Sequence, residues 1–267
     1  MPLALQTLTA PVIDTRLAAL EARMSHFLPP DHDEIRALLA DADRLARRDA
    51  LEASHLRGRI HTLTGDRQQV DYWFANARRL HDDWRAAFNH ASCLASLGYF
   101  SDAAALTSRF LNIDTGTLAS TVSLAVIVLD LEGAVGAYDA LRRSSLEPGG
   151  LDPCFAPLAL EVLRGYELPV HRARSALDIM GQVLREERLR WIGPAPRLFA
   201  HCDQDFASVL YELRLPVSID ASIALSNRLH LRLFDAGLLL QGFVMDFVGT
   251  DPMPPAQVQN AALIRVV

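Results

Sequence analysis

Apolar residues recur at three- and four-residue steps over most of the first two-thirds of the chain. Residues 14–28 and 33–57 read as helices, the second with Ile35, Leu38, Leu39, Ala42, Leu45 and Ala46 on one stripe. Pro29 and Pro30 break the chain before it, and Asp31 or Asp33 can cap the new helix. A turn at Thr64-Gly65-Asp66 leads into a helix through Val70, Phe74, Ala77 and Leu80. His81-Asp82-Asp83 is the next stop, and helix resumes from Trp84 to Leu97. Gly98 ends it, and Ser101 with Asp102 opens another that runs to about Leu111. Residues 118–131 and 133–144 make a further pair, so 33–145 reads as helical hairpins joined by short turns.

Beyond Pro148-Gly149-Gly150 the pattern weakens. Residues 156–166 and 170–190 read as one more hairpin, the second helix carrying Ala173, Leu177, Met180, Val183 and Leu184 on one side. Gly193-Pro194-Ala195-Pro196 then breaks the helix. Residues 211–215 alternate apolar and polar as a half-buried strand does. Residues 220–236 return to helical spacing with Ile223, Leu225, Leu229 and Leu233. Residues 238–248 read as a β-rich run, with Phe243, Met245 and Phe247 on one face and Asp246 on the other. The expectation is a mainly α chain: a helical region over 1–190, and a small strand–helix–strand α/β unit within 197–267 that caps it.

A period underlies the helical part. Gly65 and Gly98 are 33 residues apart, as are Gly58 and Ala91; Ala91 and Ala125, and Ala103 and Ala137, are 34 apart. Two helices per unit at this period form a solenoid, and small residues at these places let helices approach closely. In LGYFSDAAAL (97–106), Gly98, Phe100 and Ala103 stand where the tetratricopeptide (TPR) turn carries Gly, an aromatic and Ala; Phe88-Asn89 followed by Ala91 resembles that family's aromatic-Asn-x-small run. The resemblance covers residues 51–150 as three degenerate repeats. Val70 stands where Ala is usual and Glu132 where Gly is usual, and no Pro closes a unit.

The resemblance implies a TPR-like antiparallel helical-hairpin solenoid whose first helices line a concave groove that holds a protein segment. Carried over through the small-residue positions, that face presents His55, Arg59, Arg85, Phe88, Asn89, Ser92 and Ser96. Asn offers donor and acceptor to a peptide backbone, Arg can clamp a carboxylate and Phe can anchor an apolar side chain. The first helix of the third repeat, 118–131, is apolar nearly all round. A helix of that kind is buried, so the C-terminal unit, a second copy (a homo-oligomer) or a partner has to cover it.

Composition then removes alternatives. All 26 basic residues are Arg, which excludes a Schiff-base lysine, a GKS/GKT phosphate loop and a kinase lysine. Arginine-only, alanine-rich usage is that of a GC-rich bacterial genome. GxSxG, HExxH and the glycine-rich dinucleotide fingerprint are absent. The net charge of −6 is spread evenly, so nucleic acid is not the expected partner. Cys93, Cys154 and Cys202 are odd in number and far apart, as in reduced cytosolic proteins. The first sixteen residues lack the charged and apolar regions of a signal peptide, and no window is long and apolar enough to span a bilayer. The expected location is cytoplasmic, with no membrane partner.

His201-Cys202-Asp203 is the most suggestive chemical cluster, but strand neighbours point to opposite faces. His55 and His61 are six apart and fall on different helix faces. Glu186 and Glu187 sit among Arg185, Arg188 and Arg190, as charge pairs on a solvated face or, with Arg197, an anion patch. The expected function is a non-enzymatic adaptor or chaperone without cofactor, metal or catalytic residue, binding a protein segment through His55, Arg59, Arg85, Phe88, Asn89 and Ser92. The alternatives are a ligand-binding or Cys/His-dependent activity in the C-terminal unit, or an inhibitor or effector from a mobile element.

Overall fold

The computed structural model describes residues 10–107, 109, 118–143, 155–191, 196–202 and 206–250. Ten helices come first: α1 (Ala10–Arg23), α2 (Asp33–Ala46), α3 (Ala50–Thr64), α4 (Arg67–Leu80), α5 (Trp84–Ser96), α6 (Phe100–Thr107), α7 (Leu118–Ile127), α8 (Leu131–Arg143), α9 (Phe155–Gly165) and α10 (Val170–Glu186). Then follow β1 (Arg197–Cys202), β2 (Ala207–Leu215), α11 (Ile219–Asp235) and β3 (Phe243–Gly249). The chain is mainly α with one small sheet.

Helix starts are written in single side chains. Asp49 accepts from the Glu52 amide at 2.9 Å, Asp66 from Gln69 at 3.1 Å and Asp83 from Ala86 at 3.0 Å. These three caps are 17 residues apart, half the 34-residue period. Asp49 also corrects the expected helix over 33–57, because its cap splits that stretch into α2 and α3. Gly65 (φ 74°) and Gly98 (φ 75°) close α3 and the α5–α6 turn in the left-handed region. In the next hairpin Leu129 takes that conformation (φ 51°), three residues before the Glu132 that stands at the usual glycine place.

The hairpins α3–α4, α5–α6 and α7–α8 pack in sequence, each against its neighbours, with α3 beside α5 and α5 beside α7. This arrangement is compatible with a helical repeat. A Cβ on Gly58 would stand 2.6 Å from the Phe74 ring, so the glycine lets α3 and α4 close. Ala91, Ala103, Ala125 and Ala137 are all buried. α6 ends at Thr107; the expected continuation to Leu111 lies outside the described residues.

The expected hairpin over 156–190 is corrected. α9 packs on α8, β1 and β2, whereas α10 turns back onto α6 and α11. Gly181 of α10 meets Gly98 backbone to backbone. Asp178 accepts from the Ser101 amide at 3.0 Å, and Arg185 Nη1 donates to the Gly98 carbonyl at 2.5 Å.

The sheet has three strands, one more than expected, and its last strand starts at Phe243. β1 and β2 are antiparallel, β2 and β3 parallel, with α11 as the crossover. Leu198, Val209, Tyr211, Leu213, Phe243, Met245 and Phe247 line one face, which joins the same hydrophobic cluster as α5 to α10. Tyr211 is fully buried and its hydroxyl donates to the Ile127 carbonyl at 2.8 Å. Arg174 Nε donates to the Val128 carbonyl at 3.1 Å. Val122, Leu124, Ala125, Ile127, Val128 and Leu129 are therefore covered within the chain: of the three covers expected for 118–131, the C-terminal unit supplies this one, and the burial of these residues needs no homo-oligomer.

Candidate functional site

The first helices of successive hairpins bring their polar faces together. His55 of α3 and Asn89 of α5, 34 residues apart, sit side by side with Asn89 Nδ2 on His55 Nδ1 at 3.2 Å. Arg85 lies one turn before Asn89 and Ser92 one turn after. Arg85 Nε donates to Asp83 at 3.0 Å and its side chain is 42% exposed. Ser92 Oγ donates to the Phe88 carbonyl within its own helix. Glu52, one turn before His55, has its carboxyl pushed up by burial and by Asp49, with Arg85 and Arg59 opposing.

Phe88, Arg59 and His55 of the expected groove are used by the fold itself. Phe88 is fully buried, with its ring 6.4 Å from that of Trp84. It is core, and the expectation of an exposed anchor is corrected. Arg59 is closed over by α1: it pairs with Asp14, and its Nη2 reaches Glu21 at 2.7 Å. Burial works against its charge, but Glu21 and Asp14 more than offset that and raise its pKa. His55 is buried beside Phe74, and burial pushes its pKa down. Its role on this face is to hold Asn89; its own Nε2 has no hydrogen-bond partner among the described residues.

One end of this face is crossed by the chain itself. After α10, the Phe27 amide donates to the Arg188 carbonyl at 2.9 Å and the Arg190 amide to the Ser25 carbonyl at 2.7 Å. Arg190 Nη2 caps the end of α1 through the Glu21 and Met24 carbonyls at 2.6 and 3.0 Å. Burial pushes its pKa down to about 10. The Trp191 amide donates to the Ser96 carbonyl, and Ser96 Oγ donates to the Trp191 carbonyl at 2.9 Å. Ser96, expected on the groove, thus holds an extended piece of its own chain. No local sequence pattern marks this return.

The other candidate chemistries resolve into structure. His201 and Cys202 are successive β1 residues on opposite faces, and Asp203 lies outside the described residues. Cys93 is buried and its thiol is pushed up to about 12 by burial, with a hydrogen bond to Thr62 opposing. His90 is stacked on Phe74 at 5.0 Å, donates from Nε2 to Asp71 at 2.7 Å, and has its pKa lowered by burial. Glu186 and Glu187 pair with Arg232 and Arg228 of α11, not with the arginines near them in sequence. Arg185, Arg188 and Arg190 donate instead to backbone carbonyls, which leaves the alternative of an anion patch without these three side chains. Among the described residues no three His, Cys, Asp or Glu side chains converge as a metal site requires. No helix is long and apolar enough to cross a membrane among those residues.

Spacing along the sequence does not reveal the surface of the C-terminal unit. Of eleven exposed large apolar residues among those described, eight fall between Phe199 and Val244. Four of them, Ile219, Ile223, Leu231 and Phe234, lie on α11. Spacing groups Ile223 with Leu225, Leu229 and Leu233, yet it is exposed while those three are buried. No family model, no curated protein and no solved structure matches the chain.

Proposed function

We propose that this is a non-enzymatic adaptor or chaperone that binds a protein segment along the polar face of α3 and α5. The observation that carries the reading is the His55–Asn89 contact across one 34-residue period. Two successive units set equivalent polar positions side by side, which is how a repeat protein builds an extended binding face. Arg85 uses Nε on Asp83, and the Asn89 carbonyl oxygen has no partner among the described residues. A guanidinium edge and an amide oxygen suit a peptide backbone or carboxylate. Arg85 and Asn89 are the contacts, with His55 positioning Asn89, Ser92 beside them, and Arg59 and Phe88 holding the helices.

The test is affinity capture from an extract of the organism that encodes the chain, comparing wild type with Arg85→Ala/Asn89→Ala. Arg59 stays intact so that the fold is not the variable. A stoichiometric protein lost from the variant supports the reading. A partner retained at equal yield by the variant overturns this face as its site.

A further inference from the structure

We propose that α11 is the contact of a symmetric homodimer, packing antiparallel on α11 of a second copy. The helix is held on two sides. Leu225, Leu229 and Leu233 are buried in the core, while Ser226 Oγ accepts from the Phe247 amide at 3.1 Å and His230 Nε2 bonds the Met245 carbonyl at 3.1 Å. Those two side chains close the β3 edge, as a covering helix does. The flank bearing Arg228 and Arg232 is pinned to Glu187 and Glu186. The remaining face is bare: Ile219 is 70% exposed, Ile223 53%, Leu231 66% and Phe234 69%.

That face has the size and symmetry of a self-contact. With Leu239 beyond the helix end it offers on the order of 400 Å² of apolar surface. The largest apolar patch on a monomer is roughly 300–600 Å², and such patches mark interaction sites. Two copies would bury about 800 Å² of apolar surface, about half of the roughly 1,600 Å² of a standard interface, before their polar rims are counted. Ile219, Ile223, Asn227 and Leu231 form a ridge at four-residue steps, and two such ridges interlock at about −50°.

Asn227 selects the occupant. It is the midpoint of α11, is exposed, and has no hydrogen-bond partner among the described residues. A two-fold axis through it sets Ile223 against the mate's Leu231 and brings Ile219 to within one residue of register with the mate's Phe234, beside the exposed Asp235. The Asn227 amides then meet, and each can donate to and accept from the other. A wholly apolar partner helix would bury that amide unsatisfied. The antiparallel sense also places each helix's positive end beside the mate's negative end.

The full chain is examined by sedimentation equilibrium across a concentration series. Wild type is expected to dimerise, and Leu231→Glu to raise the dissociation constant by about 100-fold or more. Because Leu231 is two-thirds bare, the variant keeps its helix content and melting temperature. In a Cys202→Ser background, Asn227→Cys is expected to form an intermolecular disulfide on mild oxidation, as a residue on the axis must. The parent without the new cysteine gives none. Wild type that stays monomeric at about 100 µM, well above micromolar affinity, overturns the proposal and leaves the face to another protein. A dimer that survives Leu231→Glu, or an Asn227→Cys dimer that does not cross-link, also overturns it.

Discussion

Gly181 lies inside α10, where glycine is ordinarily a liability: alanine there should gain about 1 kcal/mol of helix propensity. The packing reverses that sign. A Cβ at this position would stand 1.9 Å from the Gly98 carbonyl oxygen, whereas ordinary contact begins at 3.4 Å. The two backbones would have to part by about 1.5 Å. That separation breaks the Ser101–Asp178 and Arg185–Gly98 hydrogen bonds, about 1–2 kcal/mol each. Overpacking adds about 1–3 kcal/mol. Net of propensity, Gly181→Ala should lose about 2–6 kcal/mol and lower the melting temperature by roughly 4–24 °C for a chain of this size. Gly136 is the control: it is exposed on α8 and a Cβ there meets nothing within 4 Å. Gly136→Ala should therefore raise the melting temperature by roughly 2–4 °C. Thermal and urea unfolding followed by circular dichroism read both. If both variants are stabilised alike, α10 does not dock on the α5–α6 turn and the closure of the fold is refuted.

Arg59→Ala should cost about 2 kcal/mol, between the exposed and fully buried limits for an ion pair, by stranding Asp14 and Glu21. Arg85→Ala should stay within about 0.5 kcal/mol; equal urea midpoints for the two would remove the distinction between a fold arginine and a contact arginine. His55 and His90 are both held below their ordinary value of 6.5 by burial. The unfolded chain then binds more protons below pH 6.5, so stability is complete above that pH and declines as pH falls toward the folded values. Urea midpoints between pH 8 and pH 5 should show this decline, flattened in His55→Gln/His90→Gln; a flat wild-type profile would contradict the burial. Under native conditions a thiol reagent at pH 8 should label exposed Cys202 and leave Cys93 unmodified until the chain unfolds, as peptide mapping reports.

Local structure was legible where one side chain fixes it. Asp66 and Asp83 open helices and Gly65 and Gly98 close them by their own chemistry, and the boundaries read from them hold. Asp49 does not stand out in the pattern because Ala46, Ala50 and Leu51 carry the apolar rhythm across it without Gly or Pro, although its cap follows the same 17-residue step as Asp66 and Asp83. The site was legible only in part. The period placed His55 and Asn89 at equivalent positions, and they do meet. Arg59 and Phe88 occupy equally suitable positions in the pattern, but what decides their exposure is α1, α5 packing and distant carboxylates. No local periodicity records partners that far away in the chain.

The strongest inference available from sequence concerned cover, not contact. A helix apolar on every side, as α7 is, cannot stand against water, so something must lie over it. The structure supplies that cover from within the chain: the sheet seats Tyr211 on the Ile127 carbonyl, and Arg174 reaches the carbonyls that end the helix. The return of α10 to α6 and of residues 188–191 to α1 and α5 closes the helical array on itself. The same accounting applied to α11 ends differently. Its core face is filled and its β3 side is hydrogen-bonded, yet Ile219, Ile223, Leu231 and Phe234 remain uncovered by any described element. The cover that α7 needed is found within its own chain; the bare face of α11 marks an interaction site, and Asn227 at the helix centre favours the proposed second copy as its occupant.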